Sequence, residues 1–181
     1  CKEPYVNKLK ANVTERNGKI WKDDCVEVFI DPGLARGYYH FMLNSQNVQA
    51  NERFSKGGGM ESGWDGIWES KTKINTDSWV AEFKIPLSNF PMTADMLSSW
   101  GVNLCRGRKT DGPTENTSWA VTGGSFHVPE KFGVVRGLDI KFEDYKIAPS
   151  IPRLNWAFAN NKSSLQCTQT FTNNGTEKTI C

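Results

Sequence analysis

The sequence predicts an all-β domain, an antiparallel β-sandwich of jelly-roll type carrying a short C-terminal extension. Short apolar/polar alternations recur along the chain, Gly, Pro, Asn and Asp cluster between them, and no long amphipathic helical repeat interrupts the series. A length of 181 residues fits one domain plus a small appendage. With 38% hydrophobic and 23% charged residues the composition belongs to a folding chain rather than a disordered one.

Along the chain, Cys25-Val26-Glu27-Val28-Phe29-Ile30-Asp31 alternates with period two. Val26, Val28 and Ile30 therefore share one face of a strand, and Cys25, Glu27 and Phe29 share the other. Asp31-Pro32-Gly33 ends it with turn chemistry, and Tyr38 to Asn44 resumes the extended pattern. Residues 51–66, with Gly57-Gly58-Gly59, lack periodicity and read as a loop. Residues 67–74 and 78–85 flank Asn75-Thr76-Asp77 as a hairpin, closed by Pro86. One helical turn fits within 87–100, and 101–106, 118–121 and 132–140 supply further strands.

After Tyr145 the texture changes. Ala148-Pro149-Ser150-Ile151-Pro152 reads as a stiff linker, and residues 153–181 are rich in Asn, Ser, Thr and Lys. The expected division is a sandwich over residues 1–147, then residues 148–181 as a linker and either the start of a second β domain or a docked tail. Residues 156–158 and 165–171 would be strands about Asn160-Asn161, with a further turn at Asn174-Gly175.

Several function classes are disfavoured. The net charge is +2 and the basic residues are interspersed, which argues against a nucleic-acid partner. No apolar run reaches the roughly 18 residues a membrane span needs, and the opening Cys1-Lys2-Glu3-Pro4 is not a signal peptide. Sequons beginning at Asn12, Asn116, Asn161 and Asn174 suit an extracellular or periplasmic protein. The five cysteines lack zinc-ligand spacing; Cys25 and Cys105 fit either a disulfide or two reduced thiols. With two histidines and no G-x-S-x-G, H-E-x-x-H or phosphate-loop pattern, catalysis is not expected. Seven Trp point instead to aromatic surface for a ligand, although Trp64, Trp68, Trp79, Trp100 and Trp119 suit a sandwich core or its rim.

Four segments carry a family resemblance. Trp21-Lys22-Asp23-Asp24-Cys25-Val26-Glu27-Val28-Phe29-Ile30-Asp31 resembles the W-x-x-D-x-V-E-x-F-I-D signature of carbohydrate-binding module family 9. Trp79-Val80-Ala81-Glu82-Phe83-Lys84-Ile85-Pro86 is similar to its W-x-x-E-x-x-I-P strand, Gly101-Val102-Asn103-Leu104 to its G-x-N strand, and Phe126 to Gly133 to its closing W-x-x-P-x-x-F-G segment. The matches follow the family's order over about residues 5 to 142. They imply a jelly-roll sandwich, found beside glycoside hydrolase domains, that clamps a terminal sugar between two aromatic rings. Trp21 falls on one clamp position and Phe126 on the other. Glu27 matches a carboxylate that bonds sugar hydroxyls, and Met42 stands where the sugar-binding prototype presents an Arg. Because members carry several strands before the signature, the resemblance also implies that opening strands are missing and that the chain is part of a larger protein.

The chemistry fits the resemblance. A pyranose ring has apolar C–H faces and a rim of hydroxyls, so its binder needs flat rings and fixed polar groups. Trp21, Phe126, Glu27 and Asn103 supply both kinds, and strand parity places Glu27 and Asn103 on the faces opposite Val28 and Val102. The first expectation is thus a non-catalytic carbohydrate-binding module of a secreted glycan-active protein. Two alternatives stand beside it: a structural or interaction sandwich without a sugar site, and a haem b-binding sandwich with His40, Met42 or His127 as axial ligands. Asp23, Asp24 and Asp31, near Glu27, offer hard oxygen donors, and since relatives bind structural calcium they are the candidate metal ligands.

Overall fold

The computed structural model describes residues 1–181 other than 58, 62, 91, 92, 94, 95, 111, 142–146, 150–152, 160, 161 and 174–181. In chain order its strands are β1 (Cys25–Pro32), β2 (Tyr38–Asn44), β3 (Gln49–Phe54), β4 (Glu69–Ile74), β5 (Trp79–Lys84) and β6 (Ser99–Arg108). There follow β7 (Glu115–Ser118), β8 (Gly133–Arg136), β9 (Ile147–Pro149), β10 (Arg153–Ala159), β11 (Lys162–Thr168) and β12 (Phe171–Asn173). The architecture is an all-β, antiparallel sandwich. Its main sheet runs β3-β2-β1-β6-β7, with β8 also pairing β6, and the β4–β5 hairpin forms a separate layer.

Both faces of β1 and β2 are covered, which is why every residue of β2 is buried. Towards the hairpin, Ile30, Tyr39, Phe41 and Leu43 pack with Trp68, Phe90 and Trp100, and Val26 and Val28 join them. Trp68 stacks on Phe83 of β5 with ring centroids 5.3 Å apart, joining the layers. On the opposite face Phe29, Tyr38, Cys105 and Phe132 form a second aromatic cluster. The face that carries Cys25, Glu27 and Phe29 is therefore not a solvated back but the floor of a recess.

Buried carboxylates tie the loops to this frame. Asp23 accepts hydrogen bonds from the Asn12 and Val13 backbone N–H groups and from Asn44 Nδ2. Asp24 accepts from the Lys10 and Lys109 N–H groups and the Thr110 hydroxyl. At the far end of β1, Asp31 accepts from the Arg36 N–H with both oxygens. That bond holds a turn in which Leu34 (φ 56°) and Arg36 (φ 67°) sit in the left-handed region, a strain of the kind that persists only when neighbours over-determine it. Glu3 is sealed from solvent and receives Arg106 and the Arg108 fork, so the start of the chain is clamped to β6. The Arg108 hydrogen bond holds its carboxyl below the usual carboxylate range.

Several expectations need correction. Residues 51–54 are not loop: β3 pairs with β2 across them, and its Asn51, Glu52 and Arg53 hid it from an apolar periodicity. The strand expected at 118–121 lies earlier, at β7, where polar Glu115 to Ser118 hydrogen-bond to an exposed edge of the sheet. Residues 165–171 divide between β11 and β12, which pair with β10 and β9 respectively. Ala148-Pro149 of the expected linker belong to β9, paired with β12, and the strand expected at 132–140 is confined to β8, Gly133–Arg136. The turns expected at Asn160-Asn161 and Asn174-Gly175, and Ser150 to Pro152 of the linker, lie outside the described residues.

Candidate functional site

The cross-strand register decides which side chains meet on the recessed face. Glu27 lies opposite Met42 and Cys105, Phe29 opposite His40, and His40 opposite Glu52. Above them opens a cavity of about 550 Å³. Glu27, His40, Met42 and Glu52 contribute to its floor, and Trp21, Phe54, Phe126 and His127 to its aromatic walls. Lys109 and Asn116 reach it from the β6–β7 side. Beside it a second recess of about 350 Å³ shares Trp21, Met42 and Glu52, so Trp21 stands between the two.

Trp21 comes from a single 3₁₀ turn, Ile20–Lys22, whose Ile20 is fully buried while Trp21 stays 46% exposed. Anchoring one residue and presenting the next is what a short turn before a strand can do. Phe126 sits in the loop between β7 and β8 and meets Phe29 edge-on at 6.4 Å. These two rings and Glu27, named from the sequence, line one cavity.

Asn103 does not line it. Its side chain is buried and exchanges both hydrogen bonds with the Ala120 backbone, accepting at 2.9 Å and donating at 3.1 Å. Its place is to hold the segment that leads toward Phe126. Asp23, Asp24 and Asp31 are likewise committed to the protein's own donors, with Asp31 at the other end of β1 from the first two. No group of three or more His, Cys, Asp or Glu among the described residues is arranged to hold a metal ion.

The electrostatic centre is His40. Its Nε2 lies 2.7 Å from Glu27 Oε2 and its Nδ1 3.2 Å from Glu52 Oε2, and ionised carboxylates can only accept. Only an imidazolium donates from both nitrogens at once. Burial by itself would lower the His40 pKa, but the two carboxylates outweigh it and the value lies above that of a free histidine. The same bond from His40 holds Glu52 below the ordinary carboxylate value. The ring of His40 stacks on Phe29, centroids 4.0 Å apart and planes 13° from parallel. His127, though exposed, packs edge-on against Phe29, Phe54 and His40. Desolvation on that side and the neighbouring charge of His40 lower its pKa. His127 Nδ1 and the Tyr38 hydroxyl share a 2.9 Å hydrogen bond. Burial, with the Glu52 charge, pushes the Tyr38 phenol up to about 12, so it stays protonated.

Sequence reasoning did not place Glu52 or Lys109 here. Glu52 lay within the expected loop, and Lys109 follows the last residue of β6 with nothing in its neighbours to mark it. The cysteines beneath the floor are free thiols. Cys25 Sγ lies 3.7 Å from Glu27 Oε1.

A surface of this kind offers flat rings at the sides and hydrogen-bonding groups below, and no serine or cysteine stands among its described lining residues. Comparison with known proteins gives one family and one structure. The family described as "Carbohydrate family 9 binding domain-like" matches residues 3–138. A crystal structure of a candidate carbohydrate-binding protein from Bacteroides uniformis ATCC 8492 superposes with a TM-score of 0.57 at 19% identity, covering 71% of this chain and 67% of that one, a likeness of fold. No curated protein matches at a significant level. No helix among the described residues is long and apolar enough to cross a membrane.

Proposed function

This chain belongs to the carbohydrate family 9 binding domain-like family, and on that premise we propose that it is a non-catalytic module holding the terminal sugar of a glycan between Trp21 and Phe126. The observation that carries the reading is the meeting of those two rings, from opposite ends of the domain, on one cavity with Glu27 in its floor. The rings supply apolar faces for the sugar's C–H surfaces. Glu27 supplies acceptors for its hydroxyls, since an ionised carboxylate has about four lone-pair sites and His40 and the Cys25 thiol occupy one each. His40 and Glu52 hold that carboxylate in place, and Asn103 positions the Phe126 segment from behind. In this reading the module belongs to a larger secreted or periplasmic glycan-active polypeptide and directs it to its substrate.

The exposure of Trp21 counts against a sandwich that keeps the fold without a site, since that ring would then be covered. Both nitrogens of His40 are engaged by carboxylates, which counts against it as an axial haem ligand. The test is a titration of intrinsic Trp fluorescence with a panel of mono- and disaccharides. Saturable quenching or enhancement by at least one sugar is expected; a flat response across a broad panel rejects the proposal.

A further inference from the structure

The charged groups of the cavity are unevenly matched. On the β1–β2–β3 side, Glu27 and Glu52 are both bonded to His40, whose charge offsets one of theirs. On the β6–β7 side stands Lys109, whose ammonium has no hydrogen-bond or ion-pair partner among the described residues. Its backbone is fixed, because its N–H donates to the buried Asp24 at 2.9 Å. Asp24 already accepts two further bonds, and neighbouring Glu115 is held by Arg108, so neither carboxylate is available to Lys109 Nζ.

Gly107 makes the space. The point where a Cβ would stand there lies 3.7 Å from Lys109 Nζ, 3.7 Å from Asn116 Oδ1 and 3.3 Å from Cys25 Sγ. A side chain at 107 would fill the niche into which the ammonium and the amide oxygen project. The niche and Glu52 belong to strands three positions apart in the sheet order, which is about 14 Å at the usual strand spacing. Two carboxylates against one imidazolium leave the β1–β2–β3 side with a net negative charge, Glu27 on β1 being the nearer of the two to the niche, while Lys109 on the β6–β7 side is unpaired among the described residues.

We infer that the sugar taken by this cavity is an acidic one, carrying a carboxylate or a sulfate ester that pairs with Lys109. This rests on the sugar-binding reading above and names its ligand class. A neutral sugar would leave a desolvated ammonium facing hydroxyls; an anionic substituent gives it a partner, while hydroxyls at the other side of the ring donate to Glu27. A lysine is a compact point charge without the planar fork that selects a carboxylate, so both anions are accepted.

The test is calorimetric titration with matched pairs: methyl glucuronide against methyl glucoside, galacturonate against galactose, and a sugar 6-sulfate against its parent. The acidic member of at least one pair should bind about fivefold tighter or more in low salt, and the ratio should shrink as salt is added. Lys109→Met should bring the ratio to about one, whereas Lys73→Met, on the distant β4 surface, should preserve it. The sulfate and carboxylate pairs together show which anion is preferred. Equal affinities within every pair, or a preference that survives Lys109→Met, overturn the inference while leaving sugar binding intact. Failure of every sugar, neutral and acidic, overturns both.

Discussion

Glu27 Oε2 and His40 Nε2 are 2.7 Å apart in a setting where both side chains are almost sealed from water. Such a pair ties stability to pH. The folded pKa of His40 lies above its ordinary 6.5, so its contribution is complete below about 6.5 and is lost as pH rises through the raised value. The folded pKa of Glu52 lies below its ordinary 4.5, so its contribution holds above about 4.5 and is lost as pH falls through the lowered value. His127, also lowered, withdraws stability as pH falls below about 6.5. Melting curves from about pH 2 to 9 should decline on both sides of a weakly acidic optimum, the His127 loss setting in below about 6.5 and the Glu52 loss below about 4.5. His40→Asn should flatten the alkaline decline and Glu52→Gln should weaken the acid one; an unchanged alkaline limb in His40→Asn would contradict the assignment.

Trp21 is half exposed, so its removal acts on binding more than on folding. Trp21→Ala should leave the Tm within a few degrees of the parent while weakening sugar binding at least tenfold, about 1.4 kcal/mol. Phe126→Ala should weaken binding similarly and also lower the Tm, because Phe126 packs on Phe29. Parallel calorimetry and thermal denaturation separate the two effects.

Asp24 is a structural knot. Replacing it with Ala leaves two backbone N–H groups and the Thr110 hydroxyl without their acceptor, at about 1–3 kcal/mol for each one that stays buried. A loss of about 3 kcal/mol or more is expected in denaturant unfolding of Asp24→Ala. Because Asp23 and Asp24 are saturated by N–H and O–H donors, millimolar calcium should not raise the Tm through them. A calcium-dependent rise that disappears in Asp23→Asn would refute that.

Thiol reactivity should fall into two classes. Cys25 and Cys105 are buried, and desolvation with the Glu27 charge pushes both thiols up, Cys105 to about 12. Cys1 and Cys167 are exposed. In a Cys181→Ser background at pH 8, an aromatic disulfide reagent should titrate two thiols rapidly and the remaining two only after denaturation. Four fast thiols would show that the floor opens in solution.

The parts of the fold that were legible in the sequence share a physical character. β1, β2 and β5 carry dense apolar side chains, and turn residues punctuate them and the polar strand β4, so those signals act locally. That Trp21, Glu27 and Phe126 line one cavity was legible because the family resemblance groups them. β3 was not, because Asn51 is a polar residue buried, and Glu52 one half-buried, by partners that the register alone supplies. Asn103 was assigned to the right face by parity, but parity does not say whether a side chain meets open space or a backbone; here it meets Ala120. Lys109 became significant only when Gly107 was seen to leave a gap beside it.

The cavity joins the turn at Trp21 to the loop at His127, and its floor requires the first strand to sit against β6, far later in the chain. Contacts of such long sequence separation close slowly, because loop entropy must be overcome before they yield any stabilisation. During synthesis the pocket cannot exist until the segment through His127 has emerged from the ribosome. Ligand capture would therefore report a finished molecule: a chain halted short of that point would have several of the floor residues and hold nothing.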